Sequence, residues 1–209
     1  MASFIDRLLI EADKALRCLF TTPCSTRPYP ATDKPEAEMT SMQKRDVSAL
    51  MRINHTGEVC AQALYRGQMF MASQSSTYSM LEKACIEEQE HLAWTVTRIH
   101  ELNGRVSWLN VFWYAASWGV GAVAASVSDS ISLGFVEETE RQVEQHLNQH
   151  LHKVPHADAR TRAMLQQMRE DEICHGQSAH QAGATALPVW AQRLMRIQSK
   201  VMTTVTYWV

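Results

Sequence analysis

Two Glu-x-x-His sequences, Glu88 to His91 and Glu172 to His175, constrain this chain more than any other feature. Residues three apart on a helix share a face, so each pair would aim a carboxylate and an imidazole at one point in space. One such pair is weak evidence, because a chain of 209 residues produces it readily by chance. Its repetition in two helical segments predicts two half-sites, and therefore two metal ions.

A four-helix bundle builds a site of this kind from one glutamate on each of two helices and a Glu-x-x-His pair on each of the other two. An isolated glutamate, expected to bridge the ions, should therefore precede each pair. Glu58 lies 30 residues before Glu88, at the start of an apolar helix face. The second half of the chain offers Glu137, Glu138, Glu140 and Glu144. Glu140 is selected because it lies 32 residues before Glu172, which is the closest match to the first spacing.

The ligand types indicate the metal. Carboxylates together with imidazoles suit iron or manganese better than calcium, and six ligands are too many for a structural zinc site. Four buried glutamates would be costly to desolvate unless cations neutralised them, which two divalent ions would do. Iron is the first choice, because two ferrous ions can reduce oxygen when an outside donor supplies electrons and an apolar pocket holds the compound to be oxidised.

Helical periodicity predicts an all-α protein in two parts. Residues 1–47 are expected to form an N-terminal amphipathic helix and a proline-rich linker, and residues 48–209 the metal-binding bundle. The core helices of the bundle are predicted at residues 48–74, 77–103, 134–152 and 159–182. Glu87, Glu90, Glu138, Glu144 and Glu170 are assigned to a solvated face. His146, six residues after Glu140, is a candidate for orienting a carboxylate or moving a proton.

The segment 106–128 contains no charged residue and is rich in tryptophan at one end. It could span a bilayer, form a helix buried on all sides, or present an interfacial surface to a membrane. The tail from residue 189 to 209 is apolar, with aromatic residues at its end, and could cap the bundle or contact lipid.

Composition excludes several classes of protein. The net charge of −2 and the pI near 6.5 give no electrostatic basis for binding nucleic acid. Five cysteines, an odd number without Cys-x-x-Cys, argue against a disulfide framework or a zinc ribbon and fit a reducing cytoplasm. Asp6, Glu11 and Asp13 interrupt the first apolar stretch, which is unlike a secretory signal peptide.

Residues 51–68 (MRINHTGEVCAQALYRGQ) closely resemble the bacterial demethoxyubiquinone hydroxylases, a family of ferritin-like di-iron carboxylate proteins. Residues 90–94, 130–135 and 201–207 support the resemblance, which covers nearly the whole chain. It implies a ferritin-like four-helix bundle with additional N-terminal, interfacial and C-terminal helices. It also implies the same six ligands that the spacing selects, namely Glu58, Glu88, His91, Glu140, Glu172 and His175. One departure is Leu147, where some relatives carry tyrosine, which puts a tyrosine-dependent electron or proton route in doubt.

The resemblance further implies hydroxylation of the ring of a polyprenylated demethoxyquinol with O2, in ubiquinone biosynthesis. It implies two Fe ions per chain, an external electron donor, peripheral attachment to the cytoplasmic face of the cell membrane and contact with other ubiquinone-biosynthesis proteins. Two alternatives remain open at this point. One is a ferritin-like protein of the ferroxidase or peroxidase type, and the other is a non-enzymatic scaffold that binds quinones.

Overall fold

The computed structural model describes residues 3–209, which contain seven helices and no strand. The helices are α1 (Phe4–Phe20), α2 (Ser41–Met71), α3 (Ser75–Glu101), α4 (Asn110–Val127), α5 (Asp129–Lys153), α6 (Ala159–Gln181) and α7 (Val189–Trp208). The prediction of an all-α fold of the ferritin-like bundle type is confirmed. The four predicted core helices are α2, α3, α5 and α6.

Local capping explains where the observed helices differ from the predicted ones. Helix α2 begins at Ser41, before the predicted start at residue 48, because Thr40 and Gln43 form a reciprocal capping box. The Thr40 hydroxyl accepts a bond from the Gln43 amide, and the Gln43 side chain accepts one from the Thr40 amide. Helix α5 begins at Asp129, before the predicted residue 134, because the Ser128 hydroxyl accepts a bond from the Ile131 amide.

The bundle pairs α2 with α3 and α5 with α6, and contacts of α3 with α6 and of α2 with α5 close it. Each of the four helices contributes to the two larger apolar clusters of its interior. One cluster includes Met51, Trp94, Leu147 and Met168, and the other includes Tyr65, Leu81, Val136 and Ala179. On every core helix the predicted ligands lie in sequence between these two contributions. The fold therefore places the ligands in a polar layer between two apolar ones.

Helix α4 covers the outside of α2. The two helices approach closely at Gly67 and Gly121, where an added Cβ would overlap the backbone of the opposite helix. One face of α4, including Trp113, is buried, whereas the other, including Phe112 and Val123, is exposed. Of the three alternatives left open for this segment, burial on all sides therefore does not hold. No helix within residues 3–209 combines the length and apolar content needed to cross a membrane.

The linker between α1 and α2 runs along α3 and α6, from Glu90 and Asp171 to the C-terminal end of α3, and is anchored at its C-terminal part by Arg98. This guanidinium is fully buried and contacts the carboxylates of Glu36, Glu101 and Asp158 at 2.7, 2.8 and 2.9 Å. A buried cation with three acidic partners favours one arrangement of the groups around it, because the loss of these partners would leave its charge unpaired away from water.

Candidate metal centre

The structure brings all six predicted ligand residues together in two overlapping groups. The first group is Glu58, Glu88, His91 and Glu172, and the second is Glu88, Glu140, Glu172 and His175. Within each group the potential ligand atoms lie within 4.8 Å of one another, and all six side chains are buried. Glu88 and Glu172 belong to both groups. The expectation that the isolated glutamates take the shared positions was therefore wrong, because the two Glu-x-x-His pairs supply them.

Both imidazoles turn the same nitrogen towards the shared carboxylates. His91 Nδ1 lies 3.1 Å from Glu88 Oε2 and 3.3 Å from Glu172 Oε1. His175 Nδ1 lies 3.2 Å from an oxygen of each of the same two glutamates. Glu58 lies on the His91 side, 3.6 Å from its Nδ1. The cluster is thus two similar half-sites joined by two carboxylates.

Two acidic residues outside the predicted set complete the arrangement in a reciprocal way. His91 Nε2 lies 2.9 Å from Asp171, which precedes Glu172, and His175 Nε2 lies 2.6 Å from Glu87, which precedes Glu88. A carboxylate that accepts the Nε2 proton leaves the Nδ1 lone pair free for a metal. The sequence contains the signal for these residues, since an acidic residue stands before the glutamate in both Glu-x-x-His pairs.

The pKa values of the cluster residues show that its buried carboxylates need positive charge beside them. Burial and the neighbouring Glu88 raise the pKa of Glu58 well above its ordinary value, and burial and Glu172 do the same for Glu140. Burial would lower the pKa of His175, but its contacts with Glu172 and Glu88 raise that pKa to about 12. Protons thus compensate the buried carboxylates. Divalent cations bound by the same oxygen and nitrogen atoms would replace those protons, and the donor set fits them.

An apolar cavity of about 160 Å³ reaches the cluster at Glu58. Its walls come from α2, α4, α5 and α7 and include Trp113, Phe135, Met195 and Met202. A separate, more polar cleft of about 430 Å³ lies between α5 and α6 and reaches Glu140 and Glu172. The two half-sites therefore open towards different surroundings.

His146 does not join the cluster. It lines the apolar cavity, its Nε2 has no hydrogen-bond partner, and its ring centroid lies 3.9 Å from that of His150. No hydrogen bond within residues 3–209 connects His146 to any of the six cluster residues, so the structure gives no contact through which it would orient a carboxylate.

The solvated face predicted for five glutamates was wrong for two of them. Glu90 and Glu138 are buried, with 3% and 7% of their surface exposed. Glu138 pairs with Arg141 on its own helix, whereas Glu90 binds the linker. Periodicity on α3 could not reveal this, because the partners of Glu90 lie more than 60 residues away in the sequence.

The fold and the cluster together define a ferritin-like helical bundle with a buried carboxylate and histidine site that could hold metal ions. The family described as Ubiquinone biosynthesis protein COQ7 matches residues 45–206, and the chain belongs to that family. A protein of Variovorax paradoxus is 50% identical over 207 residues, covering 99% of both chains, and one of Nitrosomonas europaea is 49% identical over 205 residues, covering 98% of this chain and 99% of its own. Both relatives are named 3-demethoxyubiquinol 3-hydroxylase.

Proposed function

We propose that this protein hydroxylates the ring of a polyprenylated 3-demethoxyubiquinol with O2, in ubiquinone biosynthesis. One observation carries the proposal beyond family membership: the buried cluster opens through Glu58 into an apolar cavity. A water-insoluble quinol ring needs an apolar site beside the metals, whereas oxidation of free iron does not.

Two Fe ions per chain would be held by Glu58, Glu88, His91, Glu140, Glu172 and His175, of which Glu88 and Glu172 belong to both groups. When bound, a pair of ferrous ions supplies reducing equivalents and open coordination positions for O2, and an external donor renews the electrons. The chain itself fixes the ligands. Asp171 and Glu87 hold the imidazole tautomers, and the Tyr65 hydroxyl donates to Glu140. The apolar walls of the cavity exclude water.

Peripheral association with the cytoplasmic face of a membrane is part of the proposal. Three helices expose large apolar side chains, among them Phe4, Ile5 and Leu9 on α1, Phe112 on α4, and Trp190, Leu194 and Ile197 on α7, and Trp108 is exposed just before α4. Helix α1 contacts α4, and the cavity lies between α4 and α7, so a quinol could pass from lipid to the cluster without crossing water. In sedimentation with liposomes, a Leu194→Ser, Ile197→Ser variant should bind less. The Ile86→Ser variant, altered at an exposed site on α3, should bind like the wild type.

The central experiment combines metal analysis with turnover. Protein purified anaerobically should contain about two irons per chain and convert a demethoxyubiquinol to its hydroxylated product in the presence of O2 and a reductant. Glu88→Ala, altered in both groups, should lose both properties, whereas His175→Ala, altered in one group, should lose turnover and retain at most about one iron per chain. Glu82→Ala and His152→Ala, which alter exposed residues, should keep both.

Two outcomes would overturn the proposal. Quinone binding that survives in Glu88→Ala and His175→Ala, without any turnover in the wild type, would identify a scaffold. Iron oxidation that proceeds without forming a quinol product would identify a ferroxidase-type protein.

A further inference from the structure

We infer that the linker between α1 and α2 is part of the support of the metal centre, and that Arg27 is a positioning residue that holds Asp171 against His91. The inference deepens the proposed function and rests on it, because it assigns a structural cause to the geometry of one of the two half-sites.

The first step is the attachment of the linker to α3 one residue before His91. The buried carboxylate of Glu90 accepts bonds from the Thr26 amide at 2.9 Å and the Thr26 hydroxyl at 2.7 Å. It also accepts bonds from the Ser25 hydroxyl and from the Arg27 amide at 3.2 Å. These hydrogen bonds fix the linker backbone, because a buried carboxylate that lost its donors would be costly to leave unpaired.

The second step is the salt bridge between Arg27 and Asp171. The two terminal nitrogens of the guanidinium contact the two carboxylate oxygens of Asp171 at 2.8 and 3.3 Å, which is a bidentate arrangement. The guanidinium also lies over the ring of Trp94, 4.9 Å from its centroid. Asp171 Oδ2 therefore accepts hydrogen bonds from both Arg27 Nη1 and His91 Nε2. A displacement of Arg27 would release the group that orients the His91 ring.

The third step is that the support is one-sided. Glu87, the corresponding partner of His175, forms no salt bridge with an arginine or lysine in the described part of the chain, and 47% of its side chain is exposed. The side chain of Asp171 is only 14% exposed. Loss of Arg27 should therefore affect the His91 half-site and spare the His175 half-site, whereas general loosening of the fold would affect both.

Anaerobic Fe(II) titration and Mössbauer spectroscopy of ⁵⁷Fe-loaded protein test this, with circular dichroism as the folding control. In Arg27→Gln we expect the affinity for one of the two irons to fall about 3- to 10-fold, less than the 10- to 100-fold typical when a direct partner of a ligand is removed. One Mössbauer doublet should change and the other should not. Glu90→Gln should do the same more weakly, and Arg27→Lys should restore part of the affinity, because it keeps the charge without the bidentate contact.

Arg160→Gln is the matched control. Arg160 donates to the Lys34 carbonyl at 2.9 Å and pairs with Glu101, so it fastens the same linker without touching Asp171. It should leave both irons as in the wild type. Equal changes at both irons, no change in Arg27→Gln, or the same change in Arg160→Gln would overturn the inference. Should Arg27→Gln fail to fold, Arg27→Lys and Glu90→Gln decide the question by the same criteria. A wild-type protein that binds no iron would instead refute the proposed function.

Discussion

The two halves of the cluster are built from the same kinds of residue but face different surroundings. Glu58, which is grouped with His91, lines the apolar cavity, whereas Glu140, which is grouped with His175, lines the polar cleft. A site that only stored or oxidised metal ions would gain nothing from an apolar opening on one side. The difference indicates that one half meets the organic substrate and the other meets water.

The outer acids follow the same asymmetry. Burial would raise the pKa of Asp171, but hydrogen bonds from His91 and Arg27 lower it to about 2, so this carboxylate is anionic at any physiological pH. Glu87 is about half exposed, and water can take part in its interactions. We conclude that the half-site beside the cavity is the more rigidly held of the two.

The largest expected effect comes from the carboxylates that the two halves share. Glu172→Ala removes an oxygen donor from both groups, so we expect less than half an iron per chain and hydroxylation at least about 1,000-fold below the wild type. Glu140→Ala removes a donor from one group only and should leave close to one iron per chain. Iron content after desalting measures both variants. If Glu140→Ala lost both irons as completely as Glu172→Ala, the division into half-sites with shared carboxylates would be incorrect.

A smaller effect tests which side receives the quinol. Gly57 lies on the wall of the apolar cavity, and apart from its own helix backbone and chain neighbours no atom lies within 4 Å of the place where its Cβ would be. Gly57→Val should therefore fold but narrow the cavity, and we expect the KM for the quinol to rise about 10-fold with little change in kcat, as for lost binding of the ground state.

Two controls belong to this test. Gly119→Val makes the same change where there is also free space, but outside the cavity, and Gly176→Ala alters the wall of the polar cleft. Neither should change the KM. An increase in KM for Gly176→Ala but not for Gly57→Val would place the substrate on the opposite side from the one we infer.

How much of this could be read from the sequence differs between the ligands and their supports. The six cluster residues were predictable from local patterns. The Glu-x-x-His spacing is a property of a single helix, and the 30- and 32-residue distances from each isolated glutamate to the next pair are a property of a repeat. Asp171 could have been found from its position before Glu172. Arg27 and Glu90 could not, since their contacts join a linker without periodicity to two helices that only the tertiary fold brings together.

The smallest expected effect concerns acid stability and again separates the two sides. Burial and Lys153 lower the pKa of His146 to about 4, and burial with His146 and Lys153 lowers that of His150 to about 2, so both are neutral in the folded protein above pH 5. In the unfolded chain both histidines have ordinary pKa values near 6.5. As the pH falls towards and below 6.5, the unfolded chain therefore binds more protons than the folded protein, and the free energy of unfolding must decrease. Between pH 7.5 and 5.5 each residue should account for about 1 kcal/mol of the loss.

Urea unfolding at the two pH values measures this contribution. His146→Gln should lower the stability at pH 7.5 but reduce its pH dependence, because the glutamine cannot take up a proton in the unfolded chain. An unchanged pH dependence in His146→Gln would mean that the imidazole can take up its proton in the folded state. The cavity beside Glu58 would then contain more water than its apolar walls indicate. The contrast between an apolar and a polar side of the cluster would in that case lose its support.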